Sequence, residues 1–322
     1  MSDNALIKAE HLTHVYSQGT PFEHIALNDV SFEIEKGEFI GVIGHTGSGK
    51  STLMQHLNGL MKPTDGKLFF RGEDVWQKGY SLKNLRFSVG VVFQYPEYQL
   101  FEETVRKDVS FGPKNMGLTE DEIEKRVVDA IRFVGLDASI LEKSPFDLSG
   151  GQKRRVAIAG IMAMRPEVLV LDEPTAQLDP IAASDFIGAL KKINTELGTT
   201  VLLAEHRLEE VFPLAHKAVL MDKARIFLTD TPRNVGNILK ASDKPHKMLA
   251  GLPSGIRIFG RLDAKGDCPL TVGESRQFLE KNYGNRYPGY DVSDEDYSER
   301  EKAVEISEGC FRYERNLPDV LN

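Results

Sequence analysis

Residues 38–60 read EFIGVIGHTGSGKSTLMQHLNGL, and the fold is decided there. The stretch begins as a short apolar strand, turns through glycines from Gly44, and continues with Leu53, Met54, Leu57 and Leu60 at helical spacing. Asn58 and Gly59 suit the end of that helix. The eight residues Gly44, His45, Thr46, Gly47, Ser48, Gly49, Lys50 and Ser51 satisfy the P-loop pattern, with the required strand before and helix after. Glycines let successive backbone N–H groups turn inward onto phosphates, and the helix N-terminus adds positive potential. Lys50 is placed to reach the β- and γ-phosphates of a nucleotide, and the Ser51 hydroxyl to ligate Mg²⁺, with Thr52 the next residue of the helix.

Working outward, EVLVLDEP (167–174) and TTVLLAEH (199–206) are short, continuous, β-branched runs separated by the helical stretch DFIGALKKINTEL (185–197). Strands buried on both faces with helices between them predict a mostly parallel α/β sheet. Ligands of open α/β sheets bind beyond the carboxyl ends of the strands, which singles out Asp172, Glu173 and His206. Acidic residues at strand ends are more often caps or solvated groups, and it is the nearby P-loop that favours chemistry here. Asp172 then becomes the partner of Mg²⁺, Glu173 the group that polarises the attacking water, and His206 a group within reach of the γ-phosphate.

The run DLSGGQKRRVAIAG (147–160) opens a second helix with Ser149, Gly150 and Gly151. A capped helix start with basic residues on its solvent face would explain the serine and the charges. It does not explain two glycines, which cost stability unless backbone must approach something closely. One nucleotide cannot use two distant phosphate cradles, so the second must serve a neighbour. A further helix is predicted over TEDEIEKRVVDAIRFVGL (119–136), from a capping box of Thr119 with Glu122 and a stripe at Ile123, Val127, Ile131 and Val134 closed by Gly135.

The 322 residues, 41% hydrophobic and 27% charged, describe a globular chain with a sizeable core. Two cysteines, Cys268 and Cys310, are too few for a disulfide framework or a zinc site. The net charge of −8 argues against a nucleic-acid partner. No stretch approaches eighteen apolar residues, and the N-terminus lacks a signal-peptide pattern, so any membrane contact is expected to be peripheral. Beyond residue 240 the texture changes. LTVGESRQFLEKN (270–282) carries a capping box of Thr271 with Glu274 and reads as a short helix, and NYGNRYPGYDVSDEDYSERE (282–301) reads as an acidic solvated linker.

In order along the chain, GHTGSGKST, VVFQ, LSGGQ, VLVLDEP, AQLDP and EH resemble the motifs of ATP-binding cassette (ABC) ATPases, over about residues 5–235. The resemblance implies a P-loop NTPase with a RecA-like parallel core, an antiparallel β subdomain and a helical subdomain at about 95–160. It implies that Gln94 links Mg²⁺ to a transmembrane partner, that Glu173 is the general base and His206 the switch histidine, and that Asp179 belongs to the D-loop. Tyr16 matches the aromatic that stacks on adenine; by itself it reads equally as a half-buried tyrosine at a strand end. Ser149, Gly150, Gly151 and Gln152 match the signature that caps ATP on the opposite subunit. Gln177, where a small D-loop residue is common, and Glu205 before His206 are departures.

A finer likeness, through IGHTGSGKSTLMQHLNGLMKPTDG (43–66) and FQYPEYQLFEETVRKDVSFGPKNMGL (93–118), is to the ATPase subunits of energy-coupling factor (ECF) transporters, importers of vitamins or transition-metal ions. That likeness implies a peripheral ATPase on the cytoplasmic face of the cell membrane. Its partners would be a second ABC ATPase domain, as homodimer, heterodimer or fused half, and transmembrane scaffold and substrate-binding subunits. Glu97, Glu102 and Glu103 are expected to make the surface after Gln94 acidic, suited to a basic helix. The alternative, a soluble ABC ATPase acting on ribosomes or DNA, calls for a basic surface or long arms that the sequence lacks. A catalytically silent partner is disfavoured by the intact Glu173 and His206.

The chain's last residues, FRYERNLPDVLN (311–322), align Tyr313 with Tyr16 and Leu321-Asn322 with Leu27-Asn28 of HVYSQGTPFEHIALN (14–28). The expected organisation is therefore a nucleotide-binding domain at 5–240, an accessory segment and acidic linker at 241–302, and at 303–322 the first strand of a truncated second ABC domain.

Overall fold

A computed structural model describes residues 5–176, 178–241, 247–262 and 266–284. Gln177, Cys310, the acidic linker from residue 285 on and the 303–322 segment lie outside the described residues; Asn282 and Tyr283, read as the start of that linker, belong to the last described helix. Four strands, β1 (Ala5–Tyr16), β2 (His24–Glu35), β4 (Asp65–Phe70) and β5 (Glu73–Asp74), form an antiparallel sheet in the order β2-β1-β4-β5. The second sheet contains β3 (Phe39–Gly44), β6 (Val89–Val92), β7 (Val168–Asp172), β8 (Thr200–Ala204), β9 (Lys217–Asp222) and β10 (Arg225–Asp230). Its order is β10-β9-β3-β8-β7-β6, parallel except where β10 returns against β9. Every residue of β7 and β8 is buried, as two-sided coverage by helices requires.

Because β3, β8, β7 and β6 are parallel neighbours, the residues just past their carboxyl ends meet along one edge of the sheet. Those residues are the P-loop after β3, Gln94 after β6, Glu173 after β7 and His206 after β8.

The P-loop feeds α1 (Lys50–Leu57), whose Leu53, Met54 and Leu57 are buried against both sheets. The predicted stripe ends one turn early. Gly59 adopts φ +66, the Leu60 amide bonds back to Gln55 O and Asn58 Oδ1, and Leu60 is left half exposed. Helix α2 (Leu82–Ser88) leads into β6.

Helices α3 (Val105–Asn115), α4 (Glu120–Phe133) and α5 (Gly150–Met162) pack on one another and against β7 and β8 around Val109, Val127, Ile131, Val156 and Ile158. Each such side chain contributes about 1.5–3 kcal/mol by burial. Thr119 caps α4 through the Glu122 amide, but the reciprocal half of the expected capping box is absent. The Glu122 carboxylate is taken by Arg126 one turn on.

Helix α6 (Pro180–Leu197) begins at Asp179, whose Oδ1 accepts from the Ile181 and Ala182 amides. After the short α7 (Leu208–Val211) and the β9–β10 hairpin come α8 (Pro232–Ala241), α9 (Ser254–Arg261) and α10 (Val272–Tyr283). They enclose a third apolar cluster with Ala218 and Leu220 of β9 and with Phe212, so the compact unit runs past residue 240 to Asn282. Thr271 caps α10 through the Glu274 amide. The Glu274 carboxylate, however, accepts from the Leu270 amide and from Arg233, which also donates to Cys268 O. Cys268 is fully buried there, and burial pushes its thiol up to about 12, so it is an inert packing residue.

Candidate nucleotide-binding site

The P-loop turn depends on its glycines, Gly47 among them at φ +79. At Gly44 a Cβ would stand 2.2 Å from Ser48 Oγ and 2.7 Å from Met221 O. Gly49 has φ +102 and would place a Cβ 2.4 Å from Ala26 O. The helix that follows has no side-chain N-cap, so its first amides are left for a ligand. Lys50 folds back over the turn, donating to Gly44 O at 2.6 Å and His45 O at 3.2 Å. Burial lowers its pKa, opposed by Glu173 and Asp172. Ser48 Oγ is buried with no partner among the described residues.

Beyond the adjacent strand ends, Glu173 is the point of convergence. Gln94 Nε2 donates to Glu173 Oε2 at 2.9 Å, and His206 Nε2 lies 2.9 Å from Glu173 Oε1. The glutamate side chain is 16% exposed and the histidine 64%, so the carboxylate is held in the cleft while the imidazole faces outward. Glu173 sits at φ +50, a left-handed conformation that costs a non-glycine residue free energy. Two bonds hold it there: its amide donates to Ala204 O at 2.9 Å, and Arg154 Nη2 donates to its carbonyl at 2.6 Å.

Arg154 corrects the sequence reading of a basic solvent face on the second helix. The side chain is buried, and its Nε also donates to Pro174 O at 2.6 Å. Its Nη1 lies 3.9 Å from Glu97 Oε2. Glu205 has a related structural role. It is buried and accepts from the Thr175 amide and hydroxyl and from the His206 amide, which fixes the turns after β7 and β8 to each other. The role of Arg154 escaped sequence reasoning because its partners are backbone carbonyls distant in the chain; Glu205 stands out in the sequence only as a departure, because its main partner, Thr175, lies thirty residues away. The available signal for Arg154 was its register, on the same α5 face as the buried Ile158.

Asp172 is buried, and desolvation pushes its carboxyl above the usual carboxylate range, with a hydrogen bond from Ser51 opposing the shift. The Ser51 hydroxyl, the Asp172 carboxylate and the carbonyl oxygen of Gln94, whose nitrogen is engaged with Glu173, make an all-oxygen donor set. Such a set fits Mg²⁺ with phosphate oxygens and water completing the octahedron. Among the described residues no group of three or more His, Cys, Asp or Glu is placed to hold a metal ion alone.

Tyr16 is brought to the P-loop helix. Its hydroxyl is 3.2 Å from Thr52 Oγ1 and 3.4 Å from Met61 Sδ. Ser149 caps α5 and forms a complete capping box with Gln152. Nothing lies within 4 Å of a Cβ built on Gly150 or Gly151, so these two glycines face open space rather than the chain's own P-loop.

The acidic surface expected after Gln94 is only partly present, since Glu103 is 81% exposed while Glu97 is not. Glu97 turns inward toward Arg154, and Glu103 is paired with Lys107 at 2.5 Å. Phe101 and Phe111 are also exposed and meet edge to face at 5.0 Å beside a groove floored by Val156, Gly160 and Met164.

Comparison with known proteins agrees with this geometry. The ABC transporter family matches residues 27–176. Two relatives named energy-coupling factor transporter ATP-binding protein EcfA2 are similar over nearly their whole length. The one from Clostridium tetani is 54% identical, covering 87% of this chain and 98% of the relative. The one from Caldanaerobacter subterraneus subsp. tengcongensis is 52% identical, covering 85% and 96%. Among solved structures, cbiO1 of Clostridium perfringens, described as part of the ABC transporter complex cbiONQ, aligns with TM-score 0.63 and 41% identity over 72% of this chain and 90% of its own. An ATP-binding cassette solved as a dimer with ADP and Pi aligns with TM-score 0.65 and 28% identity over 70% and 99%.

Proposed function

We propose, from the premise that this chain belongs to the ABC transporter family as an ATP-binding protein, that it works as one of two cassettes energising an importer of the energy-coupling factor type. The chain is an ATPase, and the observation that carries the reading is the carboxylate of Glu173, held by Gln94 and His206 next to the P-loop. Glu173 takes a proton from the attacking water; His206 stabilises the γ-phosphate. Lys50 leaves its two loop carbonyls to meet the β- and γ-phosphates, and Tyr16 stacks on the base. Ser51, Gln94 and Asp172 would hold Mg²⁺, which supplies charge neutralisation to the phosphate oxygens when bound. The open glycines of the Ser149–Gln152 turn cap ATP held by the other cassette, so closure of the pair completes two composite sites, with Asp179 at the join.

The transported solute is a vitamin or a transition-metal ion, chosen by a separate membrane subunit. The groove beside Phe101 and Phe111 takes an amphipathic helix of the membrane scaffold at the cytoplasmic face, through apolar burial rather than charge. Among the described residues no helix is long and apolar enough to cross a membrane.

The test is ATP hydrolysis per subunit against protein concentration, with Glu173→Gln as control. A rate that climbs with concentration and is lost in the variant supports composite sites. Brisk, concentration-independent turnover by a proven monomer refutes them.

A further inference from the structure

Behind Tyr16 stand two imidazoles that the proposed mechanism does not use. His14, two residues back on the same face of β1, meets the Tyr16 ring edge to face at 4.6 Å between centroids. His14 in turn meets His56 of α1 edge to face at 4.8 Å. His56 is fully buried, and its Nδ1 lies 2.7 Å from Thr52 O. A carbonyl only accepts, so Nδ1 carries the proton, and Nε2 of the neutral ring is a bare acceptor. Both His56 Nε2 and His14 Nδ1 are buried with no partner among the described residues. A buried unpartnered polar atom is costly, and a packing role alone would be served by phenylalanine or leucine.

The three rings form a continuous stack from the antiparallel sheet to the helix that carries the phosphate cradle. Tyr16 is fixed at both ends, by its hydroxyl at Thr52 and Met61 and by its ring against His14. Thr52 directly follows Ser51, and its carbonyl anchors His56. The stack therefore ties the tilt of the tyrosine to the position of the P-loop helix.

We propose that His14 and His56 are positioning residues for the nucleotide base: their rings set Tyr16 against the P-loop helix, and a proton on His56 disturbs that setting. The inference rests on the reading of Tyr16 as the base platform. The groups acting on His56 are the Thr52 carbonyl on its own helix, His14 on β1 and the backbone of Lys62 in the turn that follows; no carboxylate is among them. Burial holds its pKa below the usual histidine value, His14 adds to that, and the two backbone groups oppose it. A proton forced onto Nε2 would have backbone polarity near it but no counter-charge, which favours movement of the ring.

The experiment measures dissociation constants of ATP and of tripolyphosphate, with the full chain, from about pH 8 down to about pH 5.5. Tripolyphosphate engages the phosphate cradle without a base and reports the titration of phosphate itself. At the alkaline end, Tyr16→Ala and His14→Ala are each expected to weaken ATP about two- to tenfold and to leave tripolyphosphate unchanged. On acidification the wild type should lose ATP affinity more steeply than tripolyphosphate affinity. The doubly substituted His14→Phe, His56→Asn chain keeps a ring at 14 and a donor to Thr52 O at 56, but cannot be charged. It should bind ATP like the wild type at high pH and lose the extra acid dependence.

Unchanged ATP binding by His14→Ala, beside weakened binding by Tyr16→Ala, overturns the positioning role and spares the platform. Unchanged binding by Tyr16→Ala removes the platform, and the inference with it. Equal losses of ATP and tripolyphosphate in the histidine variants, or an acid dependence that survives the double substitution, also overturn the proposal.

Discussion

The turn after β7 and the turn before α5 carry the two most chemical stretches of the chain, and they are built in opposite ways. At the first, Glu173 is fixed by bonds from four residues: Ala204 behind it, Arg154 on its carbonyl, Gln94 and His206 on its carboxylate. At the second, Ser149 and Gln152 satisfy each other, and the space in front of the Gly150 and Gly151 Cα atoms is open. A group that must abstract a proton needs preorganisation from its own chain. A backbone surface that must be met by something else needs only to be shaped and left open.

The largest effect expected on this contrast is at Glu173. Glu173→Gln keeps the side-chain volume but exchanges one acceptor oxygen for a donor and removes the proposed base, so hydrolysis should fall about 10²–10⁴-fold while ATP binding persists. Retained turnover in a calibrated phosphate-release assay would move the base elsewhere. Next comes Gly151→Val. Nothing in the chain obstructs the added side chain and the backbone is not left-handed there, so the melting temperature should barely move. Hydrolysis should drop about 10²-fold, the scale of losing an oriented backbone donor, because the valine blocks the phosphate of the opposite cassette. A large loss of stability in calorimetry would show that the turn serves its own fold, and the contrast between the two regions would collapse.

The same contrast explains what could be seen in the sequence. Motifs whose function depends on backbone shape are legible, because only glycine and small polar residues satisfy them at fixed spacing; the P-loop and the Ser149–Gln152 turn are of this kind. Continuous apolar runs exposed β7 and β8, and their parallel order placed Asp172, Glu173 and His206 on one edge. What stayed hidden depends on partners far along the chain. Arg154 looks like its neighbours Lys153 and Arg155, yet it alone is buried, because it points at the carbonyls of Glu173 and Pro174. Glu97 was counted as a surface acid for the same reason, and the capping Glu274 was diverted by the distant Arg233, whereas Glu122 lost its capping role to a local competitor, Arg126 one turn on. Local pattern fixes where a side chain starts, whereas the long charged ones end wherever tertiary structure offers a partner.

Arg154 is therefore the sharpest way to test whether the catalytic turn is held by its own chain. Arg154→Lys retains a charge but cannot span both carbonyls, leaving one unsatisfied in a buried place. A loss of about 3 kcal/mol is expected, on the order of 6–12 °C in melting temperature for a unit of this size. Hydrolysis should decline by about tenfold as Glu173 relaxes from its left-handed conformation. A variant as stable as the parent would mean that the Ala204 bond alone suffices.

The smallest effect expected is in the nucleotide-free protein, and it concerns pH. Asp172 is buried, and desolvation, the largest influence on it, raises its pKa; the Ser51 hydrogen bond and Lys50 oppose this without reversing it. Below the usual carboxylate value, near pH 4, the group is protonated in both folded and unfolded chains and costs nothing. As pH rises from there the unfolded chain ionises first, so stability declines until the folded carboxyl ionises as well. Asp172→Asn removes that loss. The variant should melt a few degrees above the parent at pH 7, and the gain should shrink at pH 5, although it would no longer support the Mg²⁺-dependent step. Such a result would mark the catalytic turn as a place where the fold gives up stability to keep a charge ready for the nucleotide, a cost the open signature turn does not carry. Equal melting of the two chains at both pH values would instead mean that Ser51 and Lys50 compensate the buried carboxylate in full.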